Sequence, residues 1–483
     1  MNQRLPFHEP DPTPDRFLSR DACAELARRV RRMATGGGIA KVFLASDWAG
    51  DIRWARNRVT VSSDRRDCNV ELTRLLSGAS SRATLNQTDD ESLRNALAFA
   101  ERATQFQRNA PPDIVADPPI EHAFPQTHIW SDRTYQQPPD ERSVLVQALI
   151  EPAEQAGTLS AGYLSVAARG TANLEGVKSA DWYYPRTFAQ CSVTVRDSQG
   201  TASGWAGASS FDVTRFDPHH VAAIALDKCL KSRNPVRVEP GRYTTILEPQ
   251  ALFQLVEGLN TDVAGNRKNQ EGVEGQQRNG LFQNGMKTVM LDGLPVSRPD
   301  SRLGQRIVDQ RLSWIQDPSD PDLGTLPLMD ADNPFRPVTW VDHGVLTAFE
   351  TDRAYALHQW RENEGFPRNG TFKITFDGPT TSMDEMIATT RRGLLVTRFG
   401  SLMVLDARSG MIGGVTRDGL WLIENGKVSK PAVNLRFAES PLFVLNAIEQ
   451  VGVPVPIFSP ERPAIVPAMK VRDFNFSSVS DAV

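Results

Sequence analysis

The chain has 483 residues, a length that exceeds one ordinary hydrophobic core and favours two or three domains. Apolar residues make up 40% of it and charged residues 23%, which is typical of a globular protein and excludes a disordered or collagen-like chain. Lysine and arginine total 54 against 58 aspartate and glutamate residues, so the net charge of -4 gives no electrostatic basis for binding nucleic acid.

The sequence shows no targeting segment and no membrane-spanning segment. Residues 1–17 lack the apolar core of a signal peptide, and no run of 18 apolar residues occurs, so we expect a cytoplasmic protein without a membrane partner. The cysteines are too far apart for a CxxC motif or a zinc knuckle, and we expect buried or idle thiols. They are Cys23, Cys68, Cys191 and Cys229.

Changes in composition and periodicity divide the chain into five predicted segments. Helical spacing alternates with strand patterns in the N-terminal half, and strand patterns dominate the C-terminal half. The predicted fold class is α+β, with an N-terminal α/β domain of helices flanking antiparallel strands and a β-rich C-terminal domain. The segments are an N-terminal arm at 1–20, a helix–strands–helix unit at 21–106, a proline-rich linker or arm at 107–140, a second helix–strands–helix unit at 141–238, and the β-rich domain at 239–483.

Local signals place several helix boundaries within these segments. Asp21 is the predicted N-terminal cap of the first helix, which ends before Gly36. Residues 241–259 predict a strand that leads into a helix, and residues 438–452 predict a late helix. Residues 260–340 are rich in glycine, asparagine, aspartate and proline, and indicate long loops.

The sequence contains no motif that assigns a catalytic residue or a metal ligand. The seven histidines form neither HExxH nor HxH, and GxSxG and phosphate-loop motifs are absent. Adjacent His219 and His220 would point to different faces of an element, and His343 lies in a predicted turn. Glu271 and Glu274 lie in a polar loop, where solvated charge is the simpler interpretation.

The C-terminal half resembles the TldD/TldE family, also called PmbA proteins or modulators of DNA gyrase. The resemblance is carried by residues 241–259, 391–437 and 466–478, and by the loop-rich stretch between the first two. The segment at 391–437, with its GLLVT and GLWLIENGK sequences, is the most specific. The resemblance implies two homologous subunits that pair around an internal chamber. One of them is a zinc peptidase, with an HExxxH helix and a later cysteine.

This sequence departs from the zinc pattern at every ligand position. An ungapped match places Glu257, Gly258 and Asp262 where the family's zinc subunit has His, Glu and His, and no histidine lies between His220 and His343. The position of the later cysteine falls near Gly400 or Ser401, and the last cysteine in the chain is Cys229. Without imidazole or thiolate, a stable tetrahedral zinc site is not expected.

The resemblance therefore implies a TldE-like subunit without a cofactor of its own. It implies a TldD-like partner that carries zinc, and a complex that hydrolyses unfolded peptides or modified-peptide precursors. Two alternatives stay open: a stand-alone, homo-oligomeric peptide-binding or scaffold protein, and a biosynthetic enzyme with the same fold and changed chemistry. By position, the residues that would line a peptide-binding pocket, if they are not ordinary helix and loop residues, are Glu257, Asp262, Arg398 and Ser401.

Overall fold

In the computed structural model, the described residues form 15 segments separated by short and long gaps. Most of the predicted linker, residues 107–128, and most of the predicted arm, residues 1–15, lie outside them. The described residues are 16–76, 79–106, 129–174, 182–263, 283–291, 294–301, 304–317, 319–320, 322–323, 328–330, 333–334, 337–348, 372–406, 409–459 and 463–480.

The N-terminal half forms one antiparallel sheet of six strands in the order β3-β2-β1-β4-β5-β6. Each of the two predicted helix–strands–helix units contributes three of these strands, so the units share a single sheet. The elements are α1 (Arg20–Met33), β1 (Ile39–Ala55), β2 (Arg58–Leu76), β3 (Ala79–Leu85), α2 (Asp90–Phe106), α3 (Asp132–Tyr135), α4 (Pro139–Gln155), β4 (Leu159–Leu174), β5 (Trp182–Arg196), β6 (Ser203–Ser210) and α5 (Pro218–Lys231).

The four longer helices pack on one face of this sheet. Alternate residues of β1 explain why: Val42 and Leu44 are buried in the cluster under α1 and α2, and Ile52 and Trp54 in the cluster under α4 and α5. Because successive strand residues point to opposite faces, the other face carries the intervening, mostly polar residues. We call that second face the open face; Trp205 on β6 belongs to it by its register with β5 and β4.

The C-terminal half is mostly β-structure, in two larger sheets. Its elements are β7 (Gly241–Leu247), α6 (Pro249–Val263), β8 (Gln283–Leu291), β9 (Leu294–Ser301), β10 (Leu312–Gln316), β11 (Leu328–Asp330), β12 (Asn333–Pro334), β13 (Val338–Asp342), β14 (Val345–Leu346), β15 (Phe372–Phe376), α7 (Met383–Ala388), β16 (Arg392–Asp406), β17 (Met411–Glu424), β18 (Lys427–Pro431), β19 (Leu435–Glu439), α8 (Pro441–Val444), β20 (Ile448–Val451), β21 (Val455–Pro456), β22 (Ala464–Val466) and β23 (Met469–Val479).

One of these sheets closes on itself. Its strands run β16-β7-β23-β19-β17-β18, and β16 also pairs with β17, so five strands form a ring. The second sheet has the order β14-β13-β10-β15-β22-β21. A single buried cluster contains residues of both sheets and of α6, including Leu252 and Val256. The α+β fold class, with a β-rich C-terminal half, is therefore confirmed.

Two local predictions were wrong, each for a hydrogen-bonding reason. The first helix is capped by Ser19, whose side chain accepts from the Ala22 amide, and Asp21 lies in the first turn instead. The late helix ends at Val444 because the Asn446 side chain donates to the Leu442 carbonyl and to the Ile307 carbonyl. The chain then continues as β20, which pairs with β23.

The predicted strand–helix unit at 241–259 is confirmed as β7 followed by α6. None of the helices in the described part of the chain is long and apolar enough to cross a membrane.

Candidate functional site

The candidate site lies where α6, the β16–β17 hairpin and strand β6 meet. Gln254 on α6 connects the helix to the hairpin, because its Oε1 accepts a hydrogen bond of 2.8 Å from the Phe399 amide. Phe399 is fully buried between Phe437 and Phe474, with ring centroids 4.5 and 5.9 Å away. Helix α6 and strand β16 are therefore joined by a hydrogen bond at Phe399, the residue that follows Arg398.

The hairpin is irregular at this point, which breaks the strict alternation of its side chains. The register of β16 against β17 shifts between Val396 and Arg398, and again between Gly400 and Met403. Ser401 adopts a φ of 52°, a left-handed conformation that is uncommon for residues other than glycine. Such bulges re-aim side chains and are over-represented beside functional sites.

Arg398 is the central charged residue of the site. Its guanidinium carbon lies 4.4 Å from the ring centroid of Trp205, which is a cation–π contact. Its Nη1 lies 3.4 Å from Oδ2 of Asp418, and 21% of the Arg398 side chain is exposed. Burial lowers the pKa of Arg398; the Asp418 carboxylate opposes this effect, and the charge of Arg417 adds to it.

A short C-terminal segment completes the aromatic side of the site. The Phe458 ring meets Trp205 edge-on, with 5.5 Å between centroids. The Phe458 carbonyl accepts from Gln250 Nε2 at 3.2 Å, and the Ser459 amide donates to Ser209 Oγ at 3.4 Å. This segment therefore links the open face of the N-terminal sheet to the first turn of α6.

Two further polar contacts fix the N-terminal half against the C-terminal half. Lys228 on α5 and Glu248, just before α6, form an ion pair of 2.7 Å, and about one fifth or less of either side chain is exposed. Trp421 Nε1 on β17 donates to the Lys231 carbonyl at 3.3 Å. The contact between Arg398 and Trp205 therefore forms across a junction that other contacts also hold.

The sequence-derived site residues have different places in the structure. Arg398 is four-fifths buried at the junction, and Ser401 is exposed three residues later on the same strand. Glu257 lies on α6 three residues after Gln254 and is partly buried. Asp262 belongs to the last turn of α6, and its side chain lies outside the described residues. The structure thus brings the α6 segment and the β16 segment together through Gln254 and Phe399.

Sequence reasoning did not identify the other members of the site. Trp205 and Asp418 had no motif to mark them, since one is an alternate strand residue and the other lies beside a glycine in a hairpin strand. The one available signal for Asp418 is the Asp-Gly pair, which is typical of a turn or a bulge. Asp418 has a φ of 54° and is 4% exposed, and Gly419 has a φ of 138°.

The cysteines do not provide a nucleophile. Burial raises the pKa of the Cys23 and Cys191 thiols to about 12 and that of the Cys68 and Cys229 thiols to about 11. Thiols with such values are protonated at neutral pH and unreactive. Three of the four are buried, in agreement with the sequence analysis, and Cys68 is half-buried.

Within the described ranges, no three His, Cys, Asp or Glu side chains lie close enough to hold a metal ion. The side chains at the site are a guanidinium, an indole, a phenyl ring, an amide and a carboxylate. Such a set can bind a partly apolar, hydrogen-bonding molecule. It lacks the base–nucleophile pair that covalent catalysis requires.

Comparison with known proteins identifies the C-terminal half. Residues 240–478 match the family model described as the PmbA/TldA metallopeptidase C-terminal domain. Among curated proteins no significant match occurs.

Solved structures share the fold over nearly the whole chain. Two proteins named modulators of DNA gyrase, from Bacteroides thetaiotaomicron and Thermotoga maritima, have TM-scores of 0.77 and 0.76 at 16% and 15% identity. Each match covers 94% of this chain, and the two matches cover 98% and 99% of the respective solved chains. TldE from Thermococcus kodakarensis has a TM-score of 0.75 at 16% identity, with 94% and 99% coverage. The predicted resemblance is confirmed: residues 240–478 form a C-terminal domain of the PmbA/TldD family, and nearly the whole chain has the fold of these solved structures.

Proposed function

We propose that this chain is a TldE-like subunit of a cytoplasmic peptidase complex and that a TldD-like homologous subunit supplies the zinc. The complex hydrolyses unfolded peptides or modified-peptide precursors, and this chain contributes peptide-binding surface. The proposal rests chiefly on one observation: in a domain whose family model is named for metallopeptidases, the α6–β16 junction presents a guanidinium and an amide.

The side chains at this junction are a poor fit for zinc. Zinc in proteins is held by thiolate, imidazole and carboxylate groups. Arg398 places a positive charge beside the junction, which repels a divalent cation, and the neighbouring Asp418 carboxylate is paired with that guanidinium. The sequence also offers no histidine between His220 and His343 and no cysteine after Cys229. A homologous subunit therefore has to provide the metal-bound water that hydrolysis of a peptide bond requires.

A strand edge next to the site supports peptide binding. Residues 393–396 of β16 pair with β7, whereas residues 400–406 pair, among the described strands, with β17 alone. The main chain of residues 400–406 can therefore bond an extended peptide whatever its sequence. Leu402, Met403, Val404 and Leu405 are all exposed on this segment and can contact apolar side chains of that peptide.

Native mass spectrometry with zinc analysis tests the assembly. The complex would be captured through a tag on this chain in its own host. We expect a heteromer that contains a homologous subunit, with about one zinc ion per pair of subunits. A metal-free homomer would contradict the proposal and would favour the stand-alone scaffold protein.

A reconstitution assay tests the division of labour. The homologous subunit, this chain and their mixture would each be incubated with an unfolded peptide, and cleavage would be followed by mass spectrometry. We expect hydrolysis by the mixture and no hydrolysis by this chain alone, even with added zinc. Hydrolysis by this chain with zinc would place the catalytic centre here and refute the proposed role.

A further inference from the structure

We propose that Arg398, held against Trp205, binds a carboxylate group of the peptide substrate, with the C-terminal α-carboxylate as its principal ligand. This inference rests on the proposed function, because it names the chemical group by which the peptide is recognised. The feature that carries it is a guanidinium that is largely buried and yet makes no hydrogen bond within the described structure.

Among the described residues, the Arg398 guanidinium pairs loosely with Asp418 and forms no hydrogen bond. The distance from Arg398 Nη1 to Asp418 Oδ2 is 3.4 Å. A charge-assisted hydrogen bond is shorter, at about 2.7–2.9 Å. Its Nε is buried and has no hydrogen-bond partner among the described atoms. A buried donor without an acceptor costs about 1–3 kcal/mol, and more when it is charged, so a ligand that accepts these hydrogen bonds recovers that free energy.

The local charge also favours an anion. The side chain of Asp418, the carboxylate that pairs with Arg398, is almost fully buried, and Arg417 adds a second guanidinium close enough to lower the pKa of Arg398. A substrate carboxylate that bonds to Arg398 would therefore be attracted by its guanidinium charge in a partly water-excluded place. Interactions between charges are stronger there than at the protein surface.

The shape of the donor group selects a carboxylate. A guanidinium presents N–H groups in one plane, with a spacing that matches two carboxylate oxygens. The cation–π contact with Trp205 restrains the guanidinium, and Phe458 packs edge-on against the indole. The exposed apolar segment that begins at Leu402 lies four residues along the same strand and can hold the residues that precede the carboxylate.

Peptide-binding measurements test the anchor directly. Three fluorescently labelled peptides of one unstructured sequence would be used: a free C-terminal acid without Asp or Glu, its C-terminal amide, and the amide carrying one Glu. Anisotropy would be recorded for the full-length chain and for its complex with the homologous subunit. We expect the acid to bind about 10- to 100-fold more tightly than the amide, the range typical of hydrogen bonds to charged groups.

Variants connect that preference to Arg398. Arg398→Ala should bind acid and amide with nearly equal affinity, and Arg398→Lys should keep part of the preference because it retains the charge and loses the planar fork. Arg392→Ala is the matched control: Arg392 lies on the same strand, is exposed, and is 5.9 Å from the Tyr243 ring. It should bind as the parent does. Circular dichroism and unfolding midpoints would verify that each variant folds.

The outcomes separate this inference from the proposed function. Tight binding of the Glu-containing amide would identify a side-chain carboxylate as the ligand instead of the C-terminus. Equal binding of acid and amide by the parent chain would overturn the carboxylate anchor and leave peptide binding intact. Absence of binding for all three peptides, in the chain and in the complex, would refute both.

Discussion

Replacing Gln254 by alanine tests whether α6 and β16 are held together at the candidate site. The substitution removes the oxygen that accepts from the Phe399 amide at 2.8 Å. Phe399 is fully buried, so water cannot readily replace that acceptor. An unsatisfied buried donor costs about 1–3 kcal/mol, and we expect Gln254→Ala to lower the free energy of unfolding by that amount. This is a large part of the roughly 5–15 kcal/mol that stabilises a typical domain.

Gln254→Glu is the matched control for this prediction. A glutamate keeps an oxygen at the same distance along the side chain, and a carboxylate accepts hydrogen bonds at least as well as an amide oxygen. We therefore expect Gln254→Glu to unfold close to the parent midpoint. Urea denaturation followed by circular dichroism measures the difference, provided that the slope with urea concentration is unchanged.

Hydrogen exchange at the Phe399 amide gives an independent test. In Gln254→Ala this amide should exchange faster than in the parent, and in Gln254→Glu it should stay protected. The reasoning is refuted if alanine costs less than about 0.5 kcal/mol, or if glutamate costs as much as alanine. In the second case packing of the side chain, and not its acceptor oxygen, would stabilise the contact.

The remaining predictions concern two charged groups away from the candidate site. Asp64→Asn should lower the free energy of unfolding, measured by urea titration, by about 1–2 kcal/mol. The substitution removes the carboxylate that lies 2.6 Å from the Arg142 guanidinium, which is 1% exposed. The loss is smaller than for a fully buried pair because the Asp64 side chain is half-exposed. His343 contacts Asp342 and Asp377, and chiefly its hydrogen bond to Asp342 raises its pKa above 6.5. The ion pairs of protonated His343 therefore stabilise the fold. Their contribution is fully present below the pKa of this histidine in the unfolded chain and is lost as the pH rises through its pKa in the folded chain. NMR titration should show a lower His343 midpoint in Asp377→Asn, and an unchanged midpoint would contradict the assignment.

Much of the N-terminal half was predictable because its sheet has one helix-covered face. Period-two burial along β1, at Val42, Leu44 and Ile52, follows directly from the sequence. The helix at Pro218–Lys231 was predictable from its proline, which fits the first turn, and from the apolar spacing that follows. Such signals are local, and each is read within a single element.

Pairing between distant elements was not predictable in this way. Two similar helix–strands–helix patterns indicate two units, and the register of β1 with β4 is what joins them into one sheet. The prediction of a late helix at 438–452 was wrong for a related reason: the Asn446 side chain donates a hydrogen bond to the carbonyl of Ile307, which lies far from it in sequence. Local helical spacing cannot anticipate an acceptor that only the tertiary fold supplies.

The candidate site shows where sequence reasoning ends. Matching a family pattern led to Arg398 because the pattern concerns positions along β16. It did not lead to Trp205 because that residue is an ordinary alternate position of β6, and its importance arises from packing against the other half of the molecule. Unsatisfied donors on a buried guanidinium are likewise a property of the folded chain, since every arginine is hydrated when unfolded. The chemical group that Arg398 recognises therefore follows from the contacts of its side chain, which no local pattern contains.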